Sequence, residues 1–225
     1  MISFDFTAPL QYLPELLSGI LTTIWVTLLS FLFSVLIGTV FGVARYFRKA
    51  RITYLISSVY IEALRNVPAL VVIFFVYFGL PQLGVIFPSY VAGVLTMSLV
   101  GSAYVAEAIR GGLNAVGAGQ WEAGRSLAMG RVPMLLRIAL PQAFDKVWPV
   151  LSNILMIILF GTSLLSIVDI RELTMVISLI NYKTYRTLEV YVWAMAIYLV
   201  LGILMQIGFR RLHLLVFPVR VRGAR

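Results

Sequence analysis

The sequence predicts an all-α integral membrane protein with about five transmembrane helices. Of its 225 residues, 61% are hydrophobic and only 12% are charged, whereas soluble domains are about half apolar and about a quarter charged. The chain also contains four long runs without any charged residue. A helix needs roughly 20 apolar residues to cross a bilayer, so each run is long enough for at least one span.

The four uncharged runs set the order of the predicted spans. They lie between Glu15 and Arg45, Arg65 and Glu107, Lys146 and Asp169, and Glu189 and Arg210. The second run is about twice as long as one span, and Pro81, Gly84 and Pro88 interrupt it near its middle. The predicted spans are therefore Leu16–Ala44, Ile52–Leu80, Tyr90–Ile109, Val147–Val168 and Val190–Phe209.

The distribution of Lys and Arg predicts the orientation. Of the 18 basic residues, 14 follow the first span, separate the third from the fourth, or form the C-terminal tail. Five spans place these three segments on one side, and only Arg171, Lys183 and Arg186 fall on the other. Because basic loops stay in the cytoplasm, we expect the N-terminus outside and the C-terminus inside. The net charge of +9 thus marks loops and gives no reason to expect nucleic-acid binding.

Two spans carry small residues at four-residue spacing, which allows helix backbones to approach closely in lipid. We favour packing within one chain, with a subunit interface as the alternative. The rows are Ser34, Gly38 and Gly42 in the first span, and Ser98, Ser102 and Ala106 in the third.

The segment between the third and fourth spans, at about residues 111–146, is too long for a turn and too polar for a span. Its pattern predicts two short helices. The first begins near Gln120 with Glu122 in its first turn, where the helix dipole favours an acid. Gly130 suits the stop of that helix, and Pro133 suits the first turn of the second.

The surface of this segment combines charge with apolar side chains. Glu122 and Arg125 stand at i,i+3 spacing, so they form a potential pair that offers a hydrogen-bonding face. The apolar side, with Trp121, Leu127 and Val132, needs a protein partner or the underside of the membrane.

The same segment resembles the EAA loop of permease subunits in binding-protein-dependent ABC importers. Five positions match the family pattern at the expected offsets: Glu122, Ala123, Ile138, Leu140 and Pro141. Two positions depart from it, because Gly124 replaces an alanine and Ala128 replaces a glycine. We expect Gly130 to supply the turn instead.

Four further stretches are similar to the polar amino acid branch of that family. They are residues 62–68, 74–81, 104–112 and 162–166. The resemblance implies one type I importer transmembrane domain spanning residues 1–225, in the cytoplasmic (inner) membrane of a bacterium. It also implies a second permease subunit, a dimer of ABC ATPase subunits and an extracytoplasmic amino-acid-binding protein. ATP and magnesium would bind the ATPase, and this chain would hold no cofactor or metal.

In the resembling family, the EAA loop sits in a groove of the ATPase and transmits its closure to the spans. The residues that this role implies here are Gly119, Gln120, Glu122, Ala123, Gly124, Arg125, Gly130, Ile138, Leu140 and Pro141. The alternative for Glu122 is that it only caps its own helix.

Charged and polar residues within the spans are candidates for the translocation path, because charges at membrane depth are paired or functional. The candidates are Glu62, Glu107, Asn153, Thr162 and Ser163. Glu62 with Arg65, and Glu107 with Arg110, have i,i+3 spacing, so we favour intrahelical pairs over substrate contacts. For the polar residues, hydrogen bonds to neighbouring helices are an equal alternative.

One departure bears on the partner subunit. The amino acid branch commonly has Lys-Asp before Thr-Ser-Leu-Leu, and this chain has Phe160-Gly161 there. We therefore favour a different permease chain as partner over a second copy. His213, the only histidine, has no metal partners in the sequence, and we expect it to be solvated or near lipid headgroups.

The leading hypothesis is a permease subunit without enzymatic activity of its own. The chain lacks a GxxxxGK[ST] phosphate-binding loop, so ATP hydrolysis would need another polypeptide. The rivals are an ion-coupled secondary transporter, often built from paired repeats that five spans do not provide, and a non-transporting membrane scaffold.

Overall fold

The computed structural model describes residues 5–47 and 51–218, and within them every regular element is helical. The α-helices are α1 (Leu13–Tyr46), α2 (Arg51–Asn66), α3 (Ala69–Phe74), α4 (Ser89–Asn114), α5 (Ala118–Ser126), α6 (Arg131–Met134), α7 (Leu140–Gly161), α8 (Leu173–Thr184) and α9 (Thr187–Val216). Short 3₁₀ or π turns occupy Ala8–Tyr12, Phe75–Gly79, Leu80–Leu83, Leu135–Ala139 and Thr162–Val168.

Four stretches of the described chain are long and apolar enough to cross a membrane. They are Ala8–Tyr46, Ser89–Asn114, Arg131–Val168 and Thr187–Val216. They contain the first, third, fourth and fifth predicted spans, and each extends beyond the predicted bounds. The prediction of about five transmembrane helices is confirmed, with the second span as the element that differs.

The second predicted span, Ile52–Leu80, is wrong as a single helix. Arg51–Asn66 and Ala69–Leu83 meet at an angle of 108°, so together they form at most one broken span. Pro68 causes the break, because a proline disfavours helical backbone at the preceding residue and has no N–H to donate. The predicted interruption after this segment is confirmed: Gly84 has a φ of 80°, and Pro88 immediately precedes α4.

The seam between α1 and α4 is the central packing contact of the fold. The hydroxyl of Ser34 donates to the carbonyl of Ser98 at 3.1 Å. A Cβ placed on Gly38 would lie 2.6 Å from the carbonyl oxygen of Ser102, and one on Gly42 would lie 2.5 Å from that of Ala106. The two rows of small residues therefore pack against each other, which confirms the interpretation of packing within one chain.

Helix α8 was absent from the sequence prediction, although its buried Leu173, Val176, Ile177 and Ile180 follow a helical period. Its N-cap is Glu172, a fully buried carboxylate that accepts hydrogen bonds from the N–H groups of the first turn and from the Tyr198 hydroxyl at 2.9 Å. Burial raises the pKa of this carboxyl, and the hydrogen bonds oppose the shift. Glu172 thus ties the start of α8 to α9.

We expect Gly38→Ala to lower the free energy of unfolding by about 2 kcal/mol, because a methyl group would push two backbones apart. Gly208→Ala on α9 is the matched control, since a Cβ added there would meet no atom within 4 Å and alanine favours the helix. The measurement is the thermal unfolding midpoint of the purified chain in detergent. Equal midpoints for the two variants would contradict the central role of the seam.

Candidate coupling site and charged network

The loop between α4 and α7 contains the two predicted short helices, α5 and α6. Helix α5 begins at Ala118, two residues before the prediction, because Gly117 takes the N-cap position. Glu122 therefore lies in the second turn, and its predicted place in the first turn is wrong. Pro133 lies in the first turn of α6, as predicted.

The turn after α5 is made by Ala128 and not by Gly130. Ala128 adopts the left-handed conformation with a φ of 54°, while Gly130 is extended with a φ of −64°. The N–H of Met129 donates to the carbonyl of Gly124 at 3.0 Å, and that of Ala128 donates to Arg125 at 2.9 Å. This is the Schellman pattern, which usually has glycine at the left-handed position. The expectation that Gly130 supplies the turn is therefore wrong. Ala128 adopts the left-handed backbone, which is strained for a residue with a Cβ.

The inner face of the loop packs against the membrane helices. The Trp121 ring stacks on Tyr46 at the end of α1, with 6.3 Å between centroids. Gln142 donates to the Gln120 side chain at 3.0 Å, which links α7 to α5. These contacts hold the loop against both α1 and α7.

Gly124 belongs to this inner face and not to an exposed one. A Cβ on Gly124 would lie 2.6 Å from the sulfur of Met134 and 3.6 Å from Ile138. Its close neighbour is thus α6 of the same loop, so a large residue there would disturb the loop itself. Leu140 and Pro141 begin α7 directly after the π turn.

The outer face of the loop is open. Gly119, Glu122, Ala123 and Arg125 are exposed. Arg125 donates to the carbonyl of Trp121 at 3.3 Å, and Glu122 forms no ion pair with any residue that the structure describes. The predicted Glu122–Arg125 pair is therefore wrong, and the carboxylate is available.

The same loop also exposes two apolar side chains. Leu127 is 75% exposed and Val132 is 63% exposed, although Trp121, from the same predicted apolar side, is packed inward. Together with the unpaired carboxylate of Glu122, these exposed side chains leave the outer face of the loop available to a protein partner.

Charged residues of the spans form one network centred on Arg45. Its guanidinium contacts Glu62 at 2.7 Å and Glu107 at 3.2 Å. The predicted Glu107–Arg110 pair is confirmed. The predicted Glu62–Arg65 pair is wrong, because Arg65 lies 5.7 Å from the centroid of the Tyr104 ring instead. The network joins α1, α2 and α4, which sequence spacing alone could not indicate.

The remaining path candidates do not join this network. Thr162 is buried and donates to the carbonyl of Leu159 at 2.7 Å, and Ser163 donates to Phe160 at 2.7 Å. Both hydroxyls thus bond to backbone carbonyls at the end of their own helix. Asn153 is exposed on α7 and lines a separate cleft of about 520 Å³ between α7 and α9.

The same cleft holds a pair that the sequence did not indicate. His213 on α9 lies 2.9 Å from the Asp145 carboxylate on α7, and its ring packs near Trp148 at 5.2 Å. The expectation for His213 named no such partner; the side chain is 28% exposed and also pairs with Asp145. A sequence separation of 68 residues explains why the pair was missed.

Comparison with known proteins shows which protein family this chain resembles. Residues 34–214 match the family described as binding-protein-dependent transport system inner membrane component. A probable amino-acid ABC transporter permease from Sinorhizobium fredii is 36% identical over 194 residues, covering 86% of this chain and 84% of that protein. The octopine transport system permease OccM of Rhizobium radiobacter is 36% identical, covering 96% and 92%.

Solved structures agree with these relatives. The crystal structure of an amino acid ABC transporter with histidines has a TM-score of 0.84 and 32% identity, covering 94% of this chain and 99% of that one. The inward-facing MetNI methionine ABC transporter has a TM-score of 0.73 at 18% identity, covering 90% and 96%, so it supports the fold alone.

We expect Ala128→Gly to stabilise the loop by about 1 kcal/mol, because a left-handed backbone costs a non-glycine residue about that much. Amide hydrogen exchange at Met129 should then slow about fivefold. Gly130→Ala is the control, since a φ of −64° suits either residue. Faster exchange in Ala128→Gly would show that the turn is unstrained.

Proposed function

The chain belongs to the family of binding-protein-dependent transport system inner membrane components, and on that basis we propose that it serves an ATP-driven importer of amino acids. It is a multi-pass inner-membrane permease subunit of an ABC transporter. The observation that carries the proposal is the open face of the α5–α6 loop, where the Glu122 carboxylate has no ion-pair partner among the described residues and Leu127 and Val132 are also exposed.

The geometry of the loop suits the transmission of force. Residues Arg131–Val168 run as one continuous helical stretch, so displacement of α6 moves α7 directly. The stacking of Trp121 on Tyr46 links α5 to the end of α1. A partner that closes on the open face would therefore tilt two membrane helices together. An ATPase that binds ATP and magnesium is the partner we propose, and this chain would contribute no catalytic group.

The substrate class rests on the relatives. Permeases similar to this chain in sequence are named for octopine, glutamine, arginine and cystine transport, all of which are amino acids or derivatives of them. We extend that class to this chain, together with a soluble amino-acid-binding protein on the outer side. An outside N-terminus and a cytoplasmic loop, as the basic residues predict, would put each partner at the required face.

We expect ATP-driven uptake when the chain is reconstituted in proteoliposomes with its ATPase and binding protein. Labelled L-glutamine and L-arginine are the probes, and uptake should need enclosed ATP and magnesium but persist when ionophores collapse the ion gradients. Uptake driven by a proton or sodium gradient without ATP would favour a secondary transporter. Assembly without any uptake would favour a scaffold.

Within that assay, Glu122→Ala should reduce ATPase stimulation by the loaded binding protein at least about tenfold if the carboxylate makes a charged hydrogen bond to the partner. Glu122→Gln keeps the shape of the side chain but removes its charge, so comparing it with Glu122→Ala shows whether the charge or the shape is needed. Arg211→Gln removes an exposed charge near the end of α9, outside the loop, and should leave stimulation unchanged. Normal stimulation in Glu122→Ala would place the coupling contact elsewhere on the loop.

We further propose that a different permease chain completes the translocation path. The supporting observation is Phe160, whose side chain is 51% exposed at the position where the resembling family usually has a lysine. The neighbouring hydroxyls of Thr162 and Ser163 bond to their own helix, and Glu62 and Glu107 share Arg45. An amino acid carries two charges that are costly to desolvate unpaired, so partners on another chain would lower that cost.

The pairing has a direct test. The chain is expressed with the ATPase and the binding protein but without any second permease gene, and uptake is measured in proteoliposomes. We expect incomplete assembly or uptake at least tenfold below that of the complete set. Full-rate uptake by complexes with two copies of this chain would refute the heterodimer and give Asn153 the leading role.

A further inference from the structure

A second cleft, of about 410 Å³, opens between the start of α1 and helix α8. It is far from the coupling loop, because α1 has 34 residues and is about 50 Å long, and its other end carries Tyr46. Nothing in the proposed function uses this cleft.

Helices α1 and α8, which border the cleft, pack directly against each other. A Cβ on Gly19 would lie 2.9 Å from Val176, and the N–H of Leu173 donates to the Thr23 hydroxyl at 3.1 Å. Leu179 and Ile180 continue the apolar wall. The two helices therefore hold the lining groups in place.

The rim of the cleft carries charges of both signs that the fold does not neutralise. Glu15, Arg171 and Lys183 are all exposed and line the same space. None of the three forms an ion pair with a described residue, and Lys183 instead lies 5.2 Å from the centroid of the Tyr12 ring. Ser18, one turn beyond Glu15, adds a hydroxyl to the rim.

Opposite charges that line one cleft without contacting each other leave a gap that a ligand with both charges can bridge. We propose that this cleft binds a free amino acid, with its ammonium group on Glu15 and its carboxylate on Arg171 and Lys183. The methylene groups of the ligand side chain then lie on the apolar wall of α8. A carboxylate prefers the planar, two-donor guanidinium of Arg171, and Lys183 adds a second positive charge.

The inference rests on the proposed function for its substrate class and adds a binding site at the end of the permease opposite the coupling loop. An amino acid held there is already paired by charge before it meets the apolar spans. Because the rim is solvated, each pair is screened, so recognition needs both ends of the ligand at once.

The test is equilibrium binding of labelled L-glutamine and L-arginine to the purified complex of permease and ATPase, with the binding protein omitted. Glu15→Gln and Arg171→Gln should each weaken binding about tenfold, as expected for the loss of one charge-assisted contact. Asp169→Asn, an exposed charge that does not line the cleft, is the matched control and should bind as the parent does.

Analogues that lack one charge identify which end each residue holds. Glutaramate has no ammonium group and 4-aminobutanamide has no carboxylate, although both keep the glutamine side chain. Both should compete poorly with labelled L-glutamine in the parent complex. Glu15→Gln should remove the preference for glutamine over glutaramate, and Arg171→Gln should remove the preference over 4-aminobutanamide.

Three outcomes would overturn the proposal. The first is no binding of either amino acid, and the second is binding that neither substitution changes. The third is a loss of binding-protein affinity with unchanged amino acid binding, which would make the cleft a protein docking surface. ATP-driven uptake measured on the same preparations separates these results from failure of the proposed function, because an importer without this site still transports.

Discussion

The close approach of α1 and α4 is the contact on which the rest of the structure depends. Lipid is as apolar as the helices, so there is no hydrophobic driving force for their association. Their packing must come from van der Waals contact and interhelical hydrogen bonds. Gly38 and Gly42 remove the side chains that would separate the backbones. The Ser34 hydroxyl then reaches a carbonyl of α4 at 3.1 Å. A single seam of small residues thereby fixes the position of the longest helix in the described chain.

Both candidate sites are built on the two ends of that helix. At one end, the Tyr46 ring stacks on Trp121 of the loop. Arg45 at the same end forms ion pairs with Glu62 of α2 and Glu107 of α4. At the other end, Glu15 faces α8 across the second cleft. Because α1 is one uninterrupted helix of 34 residues, displacement of the loop at Tyr46 would also displace its far end, without any continuous chain of polar contacts.

The sequence was most informative where structure depends on near neighbours along the chain. Uncharged runs located four spanning stretches, and i,i+3 spacing correctly paired Glu107 with Arg110. The same spacing failed for Glu62, because its carboxylate contacts Arg45 on α1, and spacing along one helix cannot indicate a contact between two helices. Ala128 is a similar case: the hydrogen bonds of the loop impose a left-handed backbone on a residue that does not favour it. Whether Glu122 and the other loop residues contact an ATPase stays a prediction.

The charged residues of this chain fall into two groups: those that hold the fold together, and exposed ones without ion-pair partners that are available for binding. Burying an ion without a partner is costly, so charges near the protein interior are paired or hydrogen-bonded. Arg45 contacts two carboxylates, and Glu172 accepts hydrogen bonds from two backbone N–H groups and from Tyr198. Glu122 at one end of the molecule, and Glu15 with Arg171 at the other, are exposed and have no such partners among the described residues. The three exposed charges make no such contacts, so the fold does not depend on them for stability. In the functions that we propose, Glu122 meets an ATPase and Glu15 with Arg171 meets an amino acid, and binding at each place would supply the missing counter-charge.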